Sequence, residues 1–296
     1  MSIFIGSGVA LITPFRNNEV DFEKLREIIE WHIENKTDAV IVCGTTGESA
    51  TMSDKERRAV IKFAVDVVQK RIPVIAGSGS NNTAYSVELS KYCEDVGADG
   101  LLIVTPYYNK ATETGLIKHY EAIAANVNIP IILYNVPGRT GVNLSATTVK
   151  KLSQIKNIAA IKEASGDISK VAEISRLCGQ EFSIYSGNDD IIVPVLSLGG
   201  KGVISVVANI LPEDTHNMVY EYLNGNIEKA REIQLKMNGL INSLFIEVNP
   251  IPIKTAMNLM GMEVGELRLP LTNMNDNNLE ILKNEMLNYG ISIEVK

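Results

Sequence analysis

The chain is short of the residues that staple small folds or hold metals: its 296 residues include only three cysteines and three histidines. Cys43, Cys93 and Cys178 are odd in number and far apart, with no Cys-x-x-Cys pair and no histidine at ligand spacing. That excludes a disulfide framework and reads as reduced core thiols of a cytoplasmic protein. His32, His119 and His216 fall in segments of helical spacing without a paired-ligand pattern, so no metal is expected and each reads as a surface or core histidine. No apolar run reaches the length of a membrane span. The opening MSIFIGSGVALITPF is apolar but lacks a basic leader and is cut by Pro14, so it reads as a strand and not as a signal peptide. Clusters of Lys and Arg are missing too, and a net charge of −7 with a pI near 5.2 argues against a nucleic-acid or anionic-membrane surface. A small anionic substrate remains compatible if cations are placed locally. No G-x-S-x-G elbow supports a serine nucleophile. GSGSNN (77–82) lacks the last glycine and the acidic residue about 20 positions on that a dinucleotide turn requires.

What is present is a recurrence. Short apolar runs stand at GVALI (8–12), DAVIVC (38–43), IPVIAG (72–77), DGLLIV (99–104), IPIILYN (129–135), IAAIKE (158–163), FSIYSG (182–187) and KGVISV (201–206). Segments of helical period separate them, for instance Phe22, Leu25, Ile28, Ile29 and His32, or Val60, Phe63, Ala64 and Val67. Buried strands alternating with helices indicate a parallel sheet, and the number eight favours closure into a barrel over an open doubly wound sheet. After the eighth run, residues 227–245, 252–260 and 276–289 carry helical spacing, broken by Pro250, Pro252 and Pro270. The expectation is an α/β fold, a (β/α)8 TIM barrel over residues 1–225 with a C-terminal helical appendage over 226–296.

Chemistry in such a barrel gathers where strands run out into loops. IAAIKEASGD (158–167) delivers Lys162 to that place. A lysine there is either a surface residue or a nucleophile that condenses with a ketone to a Schiff base. The second role requires a pKa lowered from about 10.4 toward 7, worth roughly 4 to 5 kcal/mol of desolvation or like-charge pressure. GTTGES (44–49) ends the second strand with two hydroxyls and two glycines, able to turn tightly and hold a carboxylate or phosphate, or simply to turn; Ser53 with Glu56 is a helix capping box. YNVPGRTG (134–141) ends the fifth, offering Tyr134 for proton transfer and Arg139 as a planar fork for a carboxylate. Taken singly, such a tyrosine is more often a core residue and such an arginine more often solvated. TPYYN (105–109) ends the fourth strand, where Tyr107 and Tyr108 cannot both face inward, so one points elsewhere, across a subunit interface for example. Asp189 and Asp190 read as caps of the helix that follows and not as magnesium ligands.

In that order and spacing GTTGE, YNVPGRTG and IKEASGD resemble the dihydrodipicolinate synthase family, within the pyruvate-dependent Schiff-base lyases and synthases. The resemblance runs from GVALITPF to PIPIKTAMNLMG (250–261). It implies that Lys162 forms an imine with pyruvate, whose enamine attacks the aldehyde of aspartate 4-semialdehyde to give 4-hydroxy-tetrahydrodipicolinate for diaminopimelate and lysine biosynthesis. It implies a proton relay of Tyr134, Thr45 and Tyr108, the last reaching in from a neighbouring subunit of a homo-oligomer, a tetramer built as a dimer of dimers. Thr46 would hold the pyruvate carboxylate, Arg139 that of the semialdehyde, and backbone groups of Gly187 and Ile204 would line the pocket, with no cofactor. A sialic-acid or 2-keto-3-deoxy sugar acid lyase relative would be expected to carry Ser-Thr in the first motif and no arginine in the second. A non-catalytic binding barrel would have no need of the Lys162, Tyr134 and Thr45 set. Ser49, Ala50, Asn81 and Tyr107 match the pocket in which members of the family bind lysine as an effector. Tyr85, however, stands where a glutamate is expected and Arg57 where a histidine is, with Asp54 or Glu88 as substitute carboxylates, so weak lysine inhibition is expected.

Overall fold

Runs of Val, Ile, Leu and Ala with no polar alternation can be satisfied only where both faces are covered, and here each becomes a strand of a closed parallel barrel. The computed structural model describes residues 2–294. The strands are β1 Gly6–Ala10, β2 Ala39–Val42, β3 Val74–Gly77, β4 Gly100–Val104, β5 Ile131–Asn135, β6 Ile158–Glu163, β7 Ser183–Ser186 and β8 Gly202–Ser205, each paired with its neighbours in sequence and β1 also with β8. Helices α1 Phe22–Glu34, α2 Asp54–Val68, α3 Thr83–Asp95, α4 Glu113–Ala124, α5 Ala146–Leu152, α6 Ile168–Cys178, α7 Ile192–Ser197 and α8 Pro212–Leu223 cover the outside. The expected TIM barrel is thus formed. α2 opens on the expected capping box: Ser53 Oγ accepts from Glu56 N at 3.3 Å and Glu56 Oε2 accepts from Ser53 N at 2.9 Å.

Side chains alternate between two cores. Ala10, Ile41, Ile75, Leu102, Ile132, Tyr134, Ala160 and Ile204 fill the barrel, while Val9, Val40, Leu101, Leu133 and Ile161 face the helices. Tyr185 stacks on Phe4 at 4.3 Å and donates to its carbonyl at 2.7 Å, closing the N-terminal end. The first strand pairs two residues earlier than its apolar run, from Gly6, and Leu11 and Ile12 continue buried into the loop. Gly8 permits the packing there, since a Cβ would stand 2.7 Å from both Ile41 Cδ1 and the Phe4 ring.

The tyrosine pair corrects an expectation. β4 stops at Val104, Pro106 donates no ladder hydrogen bond, and Tyr107 and Tyr108 lie in a turn in which Tyr108 has φ of 70°. Neither faces the barrel, because the alternation that would send one inward applies only on a strand; Tyr108 is 90% exposed. The C-terminal segment forms α9 Ile227–Leu244, α10 Ile251–Leu259 and α11 Asp276–Tyr289. Met237, Leu240, Leu244, Ile253, Met257 and Met286 are continuous with the core outside the barrel strands. No helix among the described residues is long and apolar enough to cross a membrane.

Candidate active site

At the C-terminal mouth of the barrel the strands open into a cavity of about 180 Å³, walled by Thr45, Thr46, Tyr134, Arg139, Lys162 and Gly187 and floored by Ala10, Ile41 and Leu102. A larger hollow of about 720 Å³ lies at the other end, among Lys156, Asn157, Ile158 and Phe182, where strands begin and no comparable set of groups converges.

Alternation along β6 puts Lys162 on the inward face with Ala160, one layer above the apolar filling. Register sets Tyr134 beside it on β5 and Tyr185 on β7. The Lys162 ammonium lies 4.5 Å from the Tyr134 ring centroid, and the residue is 5% exposed. Among the described residues it has no carboxylate partner within ion-pair distance. The other deeply buried lysine among the described residues, Lys254, is locked to Glu48 at 2.8 Å. The Lys162 amine is not tied up in an ion pair and lines the cavity, where a bound ketone could reach it.

Asp189 completes this end of the barrel in a role the sequence did not show. It does not cap α7, which is entered through a short turn over Asp189–Ile191. Asp189 Oδ2 instead accepts from Val206 N at 3.0 Å and Val207 N at 2.8 Å. Those amides follow the last strand and have no ladder partner, so a buried carboxylate is the group that satisfies them. Burial pushes the Asp189 carboxyl up, opposed by the Val207 amide, the Ser205 hydroxyl, the Val206 amide and the charge of Lys162.

The GTTGES loop is built differently from its glycines. The left-handed residues are Cys43, just before the loop, and Glu48 within it, with φ of 55° and 52°. Gly47 serves packing, since a Cβ there would press on Leu11 O at 3.1 Å and Thr13 Oγ1 at 3.2 Å. Glu48 N donates to Thr45 O at 3.1 Å and Thr13 Oγ1 to Gly47 O at 2.8 Å, which fixes the turn that carries both threonines. Arg139 rides a single helical turn, Pro137–Thr140, held by Thr140 Oγ1 donating to Val142 O at 3.0 Å.

A sequence model of the dihydrodipicolinate synthetase family matches residues 3–287. The chain belongs to this family. A 4-hydroxy-tetrahydrodipicolinate synthase of Caldicellulosiruptor bescii is 61% identical over 295 residues, spanning 99% of this chain and 100% of that protein. The crystal structure of dihydrodipicolinate synthase from Aquifex aeolicus superposes with a TM-score of 0.97 at 46% identity, over 99% of this chain and 100% of that one. A monomeric dihydrodipicolinate synthase variant superposes with 0.95 at 43% identity, over 98% of each chain.

In this dihydrodipicolinate synthetase family chain the cavity gathers Lys162, Tyr134, Thr45, Thr46, Arg139 and Gly187. Ile204 is buried in the barrel filling, and Tyr108 stands outside on its turn. Among the wall residues that were not expected, Phe245 and Asn249 come from the C-terminal segment. Asn249 Nδ2 donates to Thr46 Oγ1 at 3.0 Å, and its main-chain oxygen accepts from Arg139 Nη2 at 3.1 Å. Its buried Oδ1 has no partner among the described residues. The one sequence signal was the Asn-Pro pair that interrupts the helical spacing at 249–250.

Tyr85 donates to Asp54 Oδ1 at 2.8 Å and accepts from Arg57 Nη1 at 3.4 Å. Arg58 holds both substitute carboxylates, Asp54 and Glu88, at 2.7 Å each. The Asp54 carboxyl is held below the usual range first by the Arg58 guanidinium.

Proposed function

We propose that this protein condenses pyruvate with L-aspartate 4-semialdehyde to 4-hydroxy-tetrahydrodipicolinate, as a Schiff-base class I aldolase-type lyase in diaminopimelate and lysine biosynthesis. The observation that carries this is a buried lysine without a counter-ion, set against Tyr134 in the mouth of a barrel of this family. Lys162 attacks the ketone carbon of pyruvate, and loss of water leaves a protonated imine, an electron sink into which the methyl carbon loses a proton. The enamine forms a carbon–carbon bond with the aldehyde carbon, whose oxygen takes a proton. The amino group of the second substrate then closes the ring at the imine carbon and expels Lys162.

Tyr134 and Thr45, with Tyr108 of the partner subunit, move the protons in this reading. Thr46 binds the pyruvate carboxylate and Arg139 that of the semialdehyde, which suits a planar fork half exposed at the rim. Backbone groups of Gly187 and Ile204 bound the pyruvate side. The working form in this proposal is a homo-oligomer, a tetramer of tight dimers; the 90% exposure of Tyr108 supports it, since such a residue reaches no site in its own chain. Residues 1–225 act as the catalytic barrel and 226–296 as a helical domain that lends Phe245 and Asn249 to the mouth. A cytoplasmic location is part of the reading, in keeping with three free cysteines.

The experiment is a direct assay of pyruvate consumption in the purified protein. Consumption should require the semialdehyde and proceed mole for mole. No semialdehyde-dependent consumption, or cleavage of N-acetylneuraminate instead, contradicts the proposal.

A further inference from the structure

Two residues within the motifs that carry the family likeness have no part in this reaction, the glutamate of GTTGES and the lysine of PIPIKTAMNLMG. They meet. Glu48 Oε1 accepts from Lys254 Nζ at 2.8 Å, with side chains 0% and 1% exposed. The ammonium gives its other donors to Thr13 O at 3.1 Å and Glu266 O at 2.5 Å, and Glu48 Oε2 accepts from Arg268 N at 3.1 Å. Every charge in the pair is matched, and the Phe15 ring packs 4.6 Å below the ammonium.

A buried ion pair contributes little net stability over a well-packed apolar pair, because desolvation offsets the attraction. What it adds is register: donors and acceptors at fixed distances cannot slide as an apolar contact does. Glu48 closes the turn that starts at Thr45, and Lys254 sits in the first turn of α10, its N–H on Pro250 O at 3.1 Å. The same two segments touch again in the cavity wall, through Asn249 on Thr46. The ionic link therefore stands directly behind the polar one.

We propose that Glu48 and Lys254 are positioning residues whose buried pair locks the loop after β2 to α10, keeping Asn249 on Thr46 and the Thr46 hydroxyl set for the pyruvate carboxylate. This rests on the reading of Thr46 as the carboxylate ligand. A merely structural pair would lower thermal stability and leave substrate affinity alone.

The test uses Glu48→Gln, Lys254→Met and the double variant, assayed well below each melting temperature. Each single variant should raise the KM for pyruvate about five- to tenfold, as expected for one misplaced hydrogen bond, with a smaller effect on kcat. The double variant should be no worse than either single, because both remove one link. Lys162 should still be trapped by borohydride at saturating pyruvate. An unchanged KM with a lowered melting temperature, or additive effects in the double variant, overturns the proposal. If the charge variants do not fold, Asn249→Ala reads the same link without stranding a buried charge. It should raise the pyruvate KM to the same extent, and an unchanged KM again overturns it. Failure to trap pyruvate on the wild-type protein is a separate outcome that removes the functional reading, and this inference with it.

Discussion

Arg139→Ala should separate the two substrates. Among the described residues the Arg139 side chain makes one hydrogen bond, Nη2 donating to Asn249 O at 3.1 Å. The turn that carries it is held by its neighbours, with Thr105 Oγ1 donating to Thr140 Oγ1 at 3.2 Å and Thr140 Oγ1 to Val142 O at 3.0 Å. The fold should therefore survive, and the loss should fall on the ligand. A charge-assisted contact to a carboxylate is worth roughly 1.5 to 3 kcal/mol, so kcat/KM for the semialdehyde should fall about ten- to a hundred-and-fifty-fold. Imine formation with pyruvate should persist, because Lys162 and Thr46 are carried by other strands. Arg139→Lys should fall between, keeping the charge and losing the fork. Steady-state kinetics with each substrate varied in turn, together with borohydride trapping, read these effects. Equal loss of semialdehyde use and of imine formation, at an unchanged melting temperature, would refute the assignment of Arg139 to the second substrate.

Three further outcomes are expected. Mixing inactive Tyr108→Phe with inactive Lys162→Ala should restore activity in hybrid oligomers that retain one intact site; no recovery despite confirmed subunit exchange removes Tyr108 from the shared site. Lysine titrated to tens of millimolar should inhibit weakly, because Tyr85 is already engaged by Asp54 and Arg57 and both nearby carboxylates are held by Arg58; sub-millimolar inhibition contradicts this. Burial pushes His32 from 6.5 down to about 3, so below pH 6.5 the unfolded chain takes up a proton that the folded chain refuses. The stability it supports is complete above pH 6.5 and falls as pH drops toward 3, by about 2 kcal/mol at pH 5; His32→Gln should flatten that part of the melting-temperature profile, and an unaltered slope would exclude His32 as its source.

The barrel was legible because runs such as IIL in β5 and IAAI in β6 are apolar on both faces, which only a covered parallel sheet tolerates. The ends of those runs put Lys162 and Tyr134 at the mouth of the barrel, while their direct pairing came with the strand register. Local chemistry was equally plain at Ser53 and Glu56, where the cap lies within one turn. What stayed hidden depends on partners far apart in the chain. Asn249 meets Thr46 across 203 positions and Lys254 meets Glu48 across 206, distances over which spacing carries no information. Asp189 misled because an aspartate before a helix looks like a cap, whereas the unpaired amides of Val206 and Val207 become visible only once the barrel has closed. Tyr107 and Tyr108 misled because strand alternation was applied to residues that follow Pro106, beyond the run that ends at Val104.

The most direct test of the central assignment is reductive trapping. Incubation with pyruvate and borohydride, proteolysis and mass mapping should find one N-carboxyethyl group per chain on the peptide containing Lys162, and none in Lys162→Ala. Adduct on another lysine, or an undiminished adduct in Lys162→Ala, would contradict it.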